Sequence, residues 1–291
     1  MRDYISNGII EIEVARHGAE LQSLRKVSSP QEYIWQGDPA YWDRRSPILF
    51  PIVGKVWADT AHIDGATYEM HQHGFARDMD FTKVVDEDRH LAYELCADEH
   101  TRQLFPRDFR LRVDYTILRN VLTVKWTVEN TGSQLLPFQI GAHPAFNYPH
   151  FNADDDVHGF FSFNADSPLV SSTVDGGFAT GDTFDVPLGE GDLLPLANDT
   201  FACDTILEAT GRIRRVTLHD REQRPYVTVL HEMPVTALWS PNGGRAPFVC
   251  IEPWHGRCDD RGYGGEFDRR PYVEHVKPGW TWDDAYQIIV E

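Results

Sequence analysis

Cysteine is scarce in this chain: Cys96, Cys203, Cys250 and Cys258 are the only four in 291 residues, and no two form a CxxC pair. That excludes a disulfide framework and a cysteine-knuckle zinc site. Cys250 lies in the apolar run PFVCIEP and reads as a small buried hydrophobe rather than a reactive thiol. Long apolar runs are also missing, since no stretch approaches the ~18 residues of a membrane-spanning helix. The start, MRDYISNGIIEIEV, lacks a basic segment followed by an apolar run and a small-residue cleavage site, so a soluble, cytoplasmic protein is expected. There is no glycine-rich phosphate loop. Positive charge is in deficit, with 27 Lys plus Arg against 45 Asp plus Glu and a net charge of −18. A field of that sign repels phosphates and anionic lipid, which argues against nucleic-acid and membrane partners. Neither an internal repeat nor a Gly, Pro or Ser-rich linker divides the chain, so residues 1–291 are expected to form one domain.

What is abundant is apolar and aromatic surface. With 41% hydrophobic residues, among them 8 Trp, 16 Phe and 11 Tyr, the chain can fill a large core. The pattern alternates with period two. In RLRVDYTIL, Leu111, Val113, Tyr115 and Ile117 share one face, and in VLTVKWTVEN, Leu122, Val124, Trp126 and Val128 do the same. Arg119 and Asn120 between these runs predict a tight hairpin turn. Further strands are expected at IIEIEV, HLAYELC, LLPFQIGAH, RRVTLHD, PYVTVLH, VTALWS, PFVCIEP and YQIIV. The best helical stretch is DEHTRQLF, short, with Asp98 as its N-cap. No βαβ rhythm appears, so the fold class is all-β, antiparallel sheets packed face to face with under about 15% helix. The stretch from about Asn152 to Thr200, rich in Asp, Gly and Ser, reads as long surface loops.

Four segments are chemically dense: RRSPILFPIVGKV from Arg44, HQHGFARDMDF from His71, GAHPAFNYP from Gly141 and PFVCIEPWHGRCD from Pro247. Each sets His, Arg or Glu beside aromatics and Gly or Pro, a mixture suited to a cleft that binds a sugar. Aromatic faces cover the ring's C–H patch and charged groups fix the hydroxyls. Taken singly, the same residues have structural readings. Glu252 in an apolar run suits a paired carboxylate, and His143 suits a core or turn. Arg77 suits a bridge to Asp78 or Asp80, as Arg44 or Arg45 does to Asp43. Trp254 and Phe146 are core aromatics or sugar platforms. His71 and His73 with Asp78 offer a ligand set for a first-row metal. Glu252 with Asp204 would be the carboxylate pair of a glycoside hydrolase.

Taken together the motifs point one way. HGFAR from His73 to Arg77, HPAF from His143 to Phe146 and CIEPW from Cys250 to Trp254 occur in that order after SPILFP. The chain thus resembles the aldose 1-epimerase (galactose mutarotase-like) family, and within it the bacterial LacX-like branch, in register from about Trp35 to Asp259. The resemblance implies a single large β-sandwich. It implies interconversion of the α and β anomers of a free aldose, without metal or nucleotide cofactor, by a monomer or homodimer. By motif, Glu252 is the general base, His143 the general acid, and His73 holds the sugar near its anomeric centre. Arg44 matches the substrate-binding arginine, with Arg45 as competitor, and Asp204 resembles an acidic position that grips hydroxyls. Arg77 and Trp254 complete the candidate substrate contacts. The galactose-type branch carries Asn before the acid histidine, where this chain has Ala142.

The chemistry fits these roles. Anomerisation needs one proton to leave the C1 hydroxyl and another to reach the ring oxygen, so a carboxylate and an imidazolium on opposite sides of the sugar are expected. A neighbouring carboxylate should move the imidazole pKa upward from about 6.5. Two other functions fit the same scaffold. A hexose 6-phosphate mutarotase would turn Arg44, Arg45 and Arg77 toward the phosphate. A non-catalytic sugar binder would keep the aromatics but need neither Glu252 nor His143.

Overall fold

The hairpin read from period-two alternation is the spine of one sheet. In the computed structural model of the chain, which describes residues 1–164 and 168–291, Phe109–Leu118 pairs with Val121–Asn130 from end to end. Arg119 turns the corner at φ +53°. The eight side chains assigned to the inner face are buried, none more than 1% exposed. Around this hairpin runs a nine-stranded sheet in the order Leu194–Ala197, Val157–Phe163, Arg215–His219, Pro225–Leu230, Thr281–Val290, the hairpin, His90–Cys96 and Thr82–Glu87.

Facing it is an eight-stranded sheet. Its strands in chain order are β1 (Ile48–Leu49), β2 (Ile140–Ala142), β3 (Ala145–Asn147), β4 (Leu169–Asp175), β5 (Phe178–Val186), β6 (Ile206–Glu208), β7 (Val235–Trp239) and β8 (Phe248–His255). They lie in the order β5-β4-β6-β7-β8-β2-β1, and β3 also pairs with β8. The ladders of both sheets are antiparallel, so the fold is an all-β antiparallel sandwich, about 50% strand and 7% helix. Its α-helix, Glu99–Leu104, starts at Asp98, whose carboxylate accepts from the Thr101 N–H at 2.8 Å. No helix among the described residues is long and apolar enough to cross a membrane.

The stretch from Asn152 to Thr200 departs from expectation. Most of its described residues are strand, including β4 and β5, rather than loop. The alternation is weak there because β5 lies at the sheet edge with most of one half exposed, so polar residues occupy both of its faces.

Alternation along β8 creates the site. Val249 and Ile251 point into the core between the sheets, while Phe248, Cys250, Glu252 and Trp254 share the other face. On that face Glu252 is registered with Ala237 and Trp254 with Gly141, small neighbours that leave room for a cleft.

Candidate active site

The segment from Arg44 to Trp57 straps the other motifs together through backbone hydrogen bonds. His143 N–H donates to Pro47 O and Ala145 N–H to Arg45 O, which fixes HPAF against the strap. His73 N–H donates to Gly54 O and Phe75 N–H to Phe50 O, which fixes HGFAR. Asp259 N–H donates to Lys55 O, tying in the end of the fourth segment. The glycine of HGFAR is demanded by this contact, because a Cβ on Gly74 would stand 2.2 Å from Phe50 O. His73 itself takes φ +68°, a conformation that a non-glycine residue adopts at a cost.

All seven residues singled out as catalytic or substrate-binding line one pocket of about 530 Å³: Glu252, His143, His73, Arg44, Arg77, Asp204 and Trp254. At its base His143 Nε2 lies 3.2 Å from Glu252 Oε2, with the two residues only 8% and 1% exposed. Pro144 interrupts the chain between the short strands β2 and β3, both paired to β8, and this holds His143 beside Glu252. Glu252 Oε2 and His143 Nδ1 are buried without a hydrogen-bond partner within the protein. Buried polar groups are almost always paired, so these two are sites for a ligand's donors and acceptors.

Burial sets the electrostatics. It pushes the Glu252 carboxyl well above the usual carboxylate range, with Asp204 adding to the effect. It lowers His143 to about 3 together with the Arg77 and Arg44 guanidiniums. His73 is also held well below its ordinary value by burial, with His143 and Arg77 contributing. Gly54 N–H donates to His73 Nδ1 at 3.1 Å, so the neutral ring carries its proton on Nε2. Two expectations are corrected here. The acid and base candidates touch each other instead of standing on opposite sides of a ring, and the imidazole shifts downward, because loss of hydration outweighs attraction to a carboxyl that is itself driven toward its neutral form.

The arginines sort themselves. Arg44 reaches the pocket and pairs with Asp78 at 2.9 Å, not with Asp43, whereas Arg45 turns away and donates to Gln36 O. Arg77 donates to Gln72 O and has Asp78 at 3.7 Å, and burial lowers it to about 10. Asp80 takes His17 as its partner. The His71, His73 and Asp78 metal set does not assemble among the described residues: His71 is exposed beside Glu69, and Asp78 holds Arg44. Phe146 is core, while Trp254 presents its ring to the pocket and ties its N–H to Ala142 O at 3.1 Å.

The sequence pattern described as "Aldose 1-epimerase" matches residues 4–261. The chain belongs to the aldose 1-epimerase family. It is 32% identical to a galactose mutarotase-like protein from Lactobacillus casei ATCC 334, with 100% of both chains covered and a TM-score of 0.94. A galactose mutarotase related enzyme from Lactobacillus acidophilus is 28% identical, with a TM-score of 0.93 over 100% of this chain and 97% of that one. Among curated proteins, "Protein LacX, chromosomal" of Lactococcus lactis subsp. lactis is 28% identical over 98% of both chains.

Several walls of this epimerase-family pocket escaped the sequence reading. Trp42 lies over the His143 ring at 4.7 Å and 31°, and Trp239 meets it edge-on at 5.6 Å. Lys55 and Gln72 line the pocket from inside two of the dense segments, and Gly176 and Gly177 close one side from the β4–β5 turn. The alternation of VTALWS, which puts Trp239 on the same face as Val235 and Ala237, was the one available signal for Trp239.

Proposed function

We propose that the chain is an aldose 1-epimerase that interconverts the α and β anomers of a free aldose by general acid and base catalysis, acting in the cytoplasm as a single-domain enzyme. The observation that carries this reading is the close approach of Glu252 and His143, each with a buried polar atom left without a hydrogen-bond partner in the protein, at the base of a pocket of monosaccharide scale. The two oxygens that must exchange protons, the C1 hydroxyl and the ring oxygen, share one carbon. An acid and a base in contact suit that geometry better than a separated pair.

Burial favours the neutral carboxyl and the neutral imidazole, so the proton the reaction uses starts on Glu252. Sugar hydroxyls that hydrogen-bond to the carboxylate stabilise the charged arrangement in which that proton sits on His143. Glu252 then takes the C1 hydroxyl proton while His143 gives its proton to the ring oxygen, and the C1–O bond breaks to leave the aldehyde. Rotation about C1–C2 and the reverse transfers close the ring on its other face, returning both protons. His73 Nε2–H and Asp204 hold hydroxyls, and the Trp254 ring covers the apolar side of the sugar. No covalent intermediate and no metal takes part.

A second reading, a hexose 6-phosphate mutarotase, is favoured by one observation: a chain of net charge −18 gathers Arg44, Lys55 and Arg77 around this pocket. Polarimetry with α-glucose, α-galactose and glucose 6-phosphate decides between them. Faster anomerisation of a free sugar, unchanged by chelators, supports the first reading. Selective turnover of the phosphate supports the second. A rate no faster than buffer with all three, alongside measurable sugar binding, means a non-catalytic binder.

A further inference from the structure

Cys250 has no part in the proton transfers, yet it occupies a position with chemical consequences. It alternates with Glu252 along one face of β8 and is fully buried. Its Sγ, a His143 ring nitrogen and a Glu252 carboxylate oxygen all lie within 4.8 Å of one another. Two of these three residues carry a buried polar atom with no partner in the protein. Trp42, Trp239 and Phe248 wall the cluster, so few waters compete for it. His143 and Glu252 also line the pocket, which supplies both an entry path and an open side.

We propose that Cys250, His143 and Glu252 form a binding site for a soft divalent cation of the Zn2+ class, and that occupancy of this site inhibits the enzyme in competition with sugar. One sulfur, one nitrogen and one oxygen ligand with a fourth position open to solvent make a tetrahedral zinc-type set. Three ligands of this kind are too few and too soft for Ca2+ or Mg2+, which demand six or more oxygens. On binding, metal bonds form to Sγ, to a ring nitrogen and to a carboxylate oxygen. The thiol proton and the Glu252 carboxyl proton leave to solvent, and nothing is oxidised or reduced. The metal thereby takes up both groups that anomerisation needs. The inhibition rests on the epimerase reading, whereas the binding site does not.

The test uses the full-length protein, stripped of metal, with Co2+ as the spectroscopic probe. The site predicts a sulfur-to-cobalt charge-transfer band together with intense visible bands of tetrahedral Co2+, both bleached by added Zn2+. The bands should be absent from Cys250→Ala and from Cys250→Ser, two variants in case one fails to fold. They should persist in Cys258→Ser, which removes the thiol that lines the pocket, and in Cys96→Ser and Cys203→Ser. In polarimetry, Zn2+ should raise the apparent KM of the wild type. Cys250→Ala should keep its rate within about threefold and need at least ~10²-fold more Zn2+ for the same inhibition, since losing a ligand costs more than the roughly 10–100-fold that losing an outer-shell partner costs. Absence of the charge-transfer band in the wild type, or its survival in both Cys250 variants, overturns the proposal. The bands with no anomerisation of any sugar would uphold the metal site and sink the epimerase reading instead.

Discussion

Glu252 Oε2 faces His143 Nε2 across 3.2 Å, and that carboxylate oxygen has no hydrogen-bond partner within the protein. In the proposed reaction the two act as one proton-exchanging unit. Glu252→Gln and His143→Asn should each cut the polarimetric rate by at least about 10²-fold, the usual scale for a lost proton-transfer partner. The double variant should be only slightly slower than either single one, since the second loss falls on a unit already disabled. Native-like melting of Glu252→Gln combined with full activity would place the base elsewhere.

Trp254 lies against Gly141, where an added Cβ would stand 2.4 Å from its Cδ1. Gly141→Ala must push the indole off its place and strain its hydrogen bond to Ala142 O. The expected cost is about 1–3 kcal/mol in urea unfolding, as for other overpacked sites. A higher KM should accompany it if the ring covers the sugar as proposed. An unchanged KM in a folded variant would remove Trp254 from the substrate contacts.

Trp42 covers the His143 ring from a segment that carries no other pocket aromatic. Trp42→Ala should lower kcat/KM by roughly threefold to tenfold, the value of one aromatic contact beyond its buried area, and Trp42→Phe should recover most of the loss. If Phe fails to rescue, the indole acts through something other than its face.

His231 is buried away from the pocket, bonded to Thr236 and Met233, and burial with the nearby Arg214 lowers it to about 4. Between pH 6.5 and about 4 the unfolded chain binds a proton at this residue that the folded one does not, so stability falls as pH falls through that window. The loss from this residue is on the order of 3 kcal/mol. His231→Gln should flatten the acid limb of urea midpoints measured across the same range, and an unchanged limb would assign the acid sensitivity to other groups.

His255 has the opposite sign. Burial alone lowers its pKa, but hydrogen bonds to Asp284 at 2.7 Å and Glu274 at 3.0 Å overcome this and raise it. Its contribution is complete below about pH 6.5 and is lost as pH rises through the elevated folded value. His255→Gln should therefore destabilise the protein more at mildly acid pH than at alkaline pH in the same urea experiment.

Strands were legible because their signal is local. The inner faces of the Phe109–Asn130 hairpin follow from residues two apart, and the short helix from the Asp98 cap on a residue three further on. The edge strand β5 was not, because an exposed edge removes the pressure to alternate. The four dense segments were legible as chemistry but not as a shape. Which of Arg44 and Arg45 faces the pocket depends on Gln36 O capturing the second, a contact nine residues away that no motif encodes.

By itself, then, the sequence determined the sandwich class, the family and the residue types that meet in one pocket, since period-two patterning and ordered motifs are properties of the chain read in line. Tertiary structure alone decided that His143 and Glu252 touch, that both are driven toward their neutral forms, and that Trp42, Trp239, Lys55 and Cys250 stand around them. Those outcomes depend on burial and on registers such as Cys250 with Trp239 and Trp254 with Gly141. Desolvation and cross-strand register arise only when segments far apart in the chain exclude water from one another.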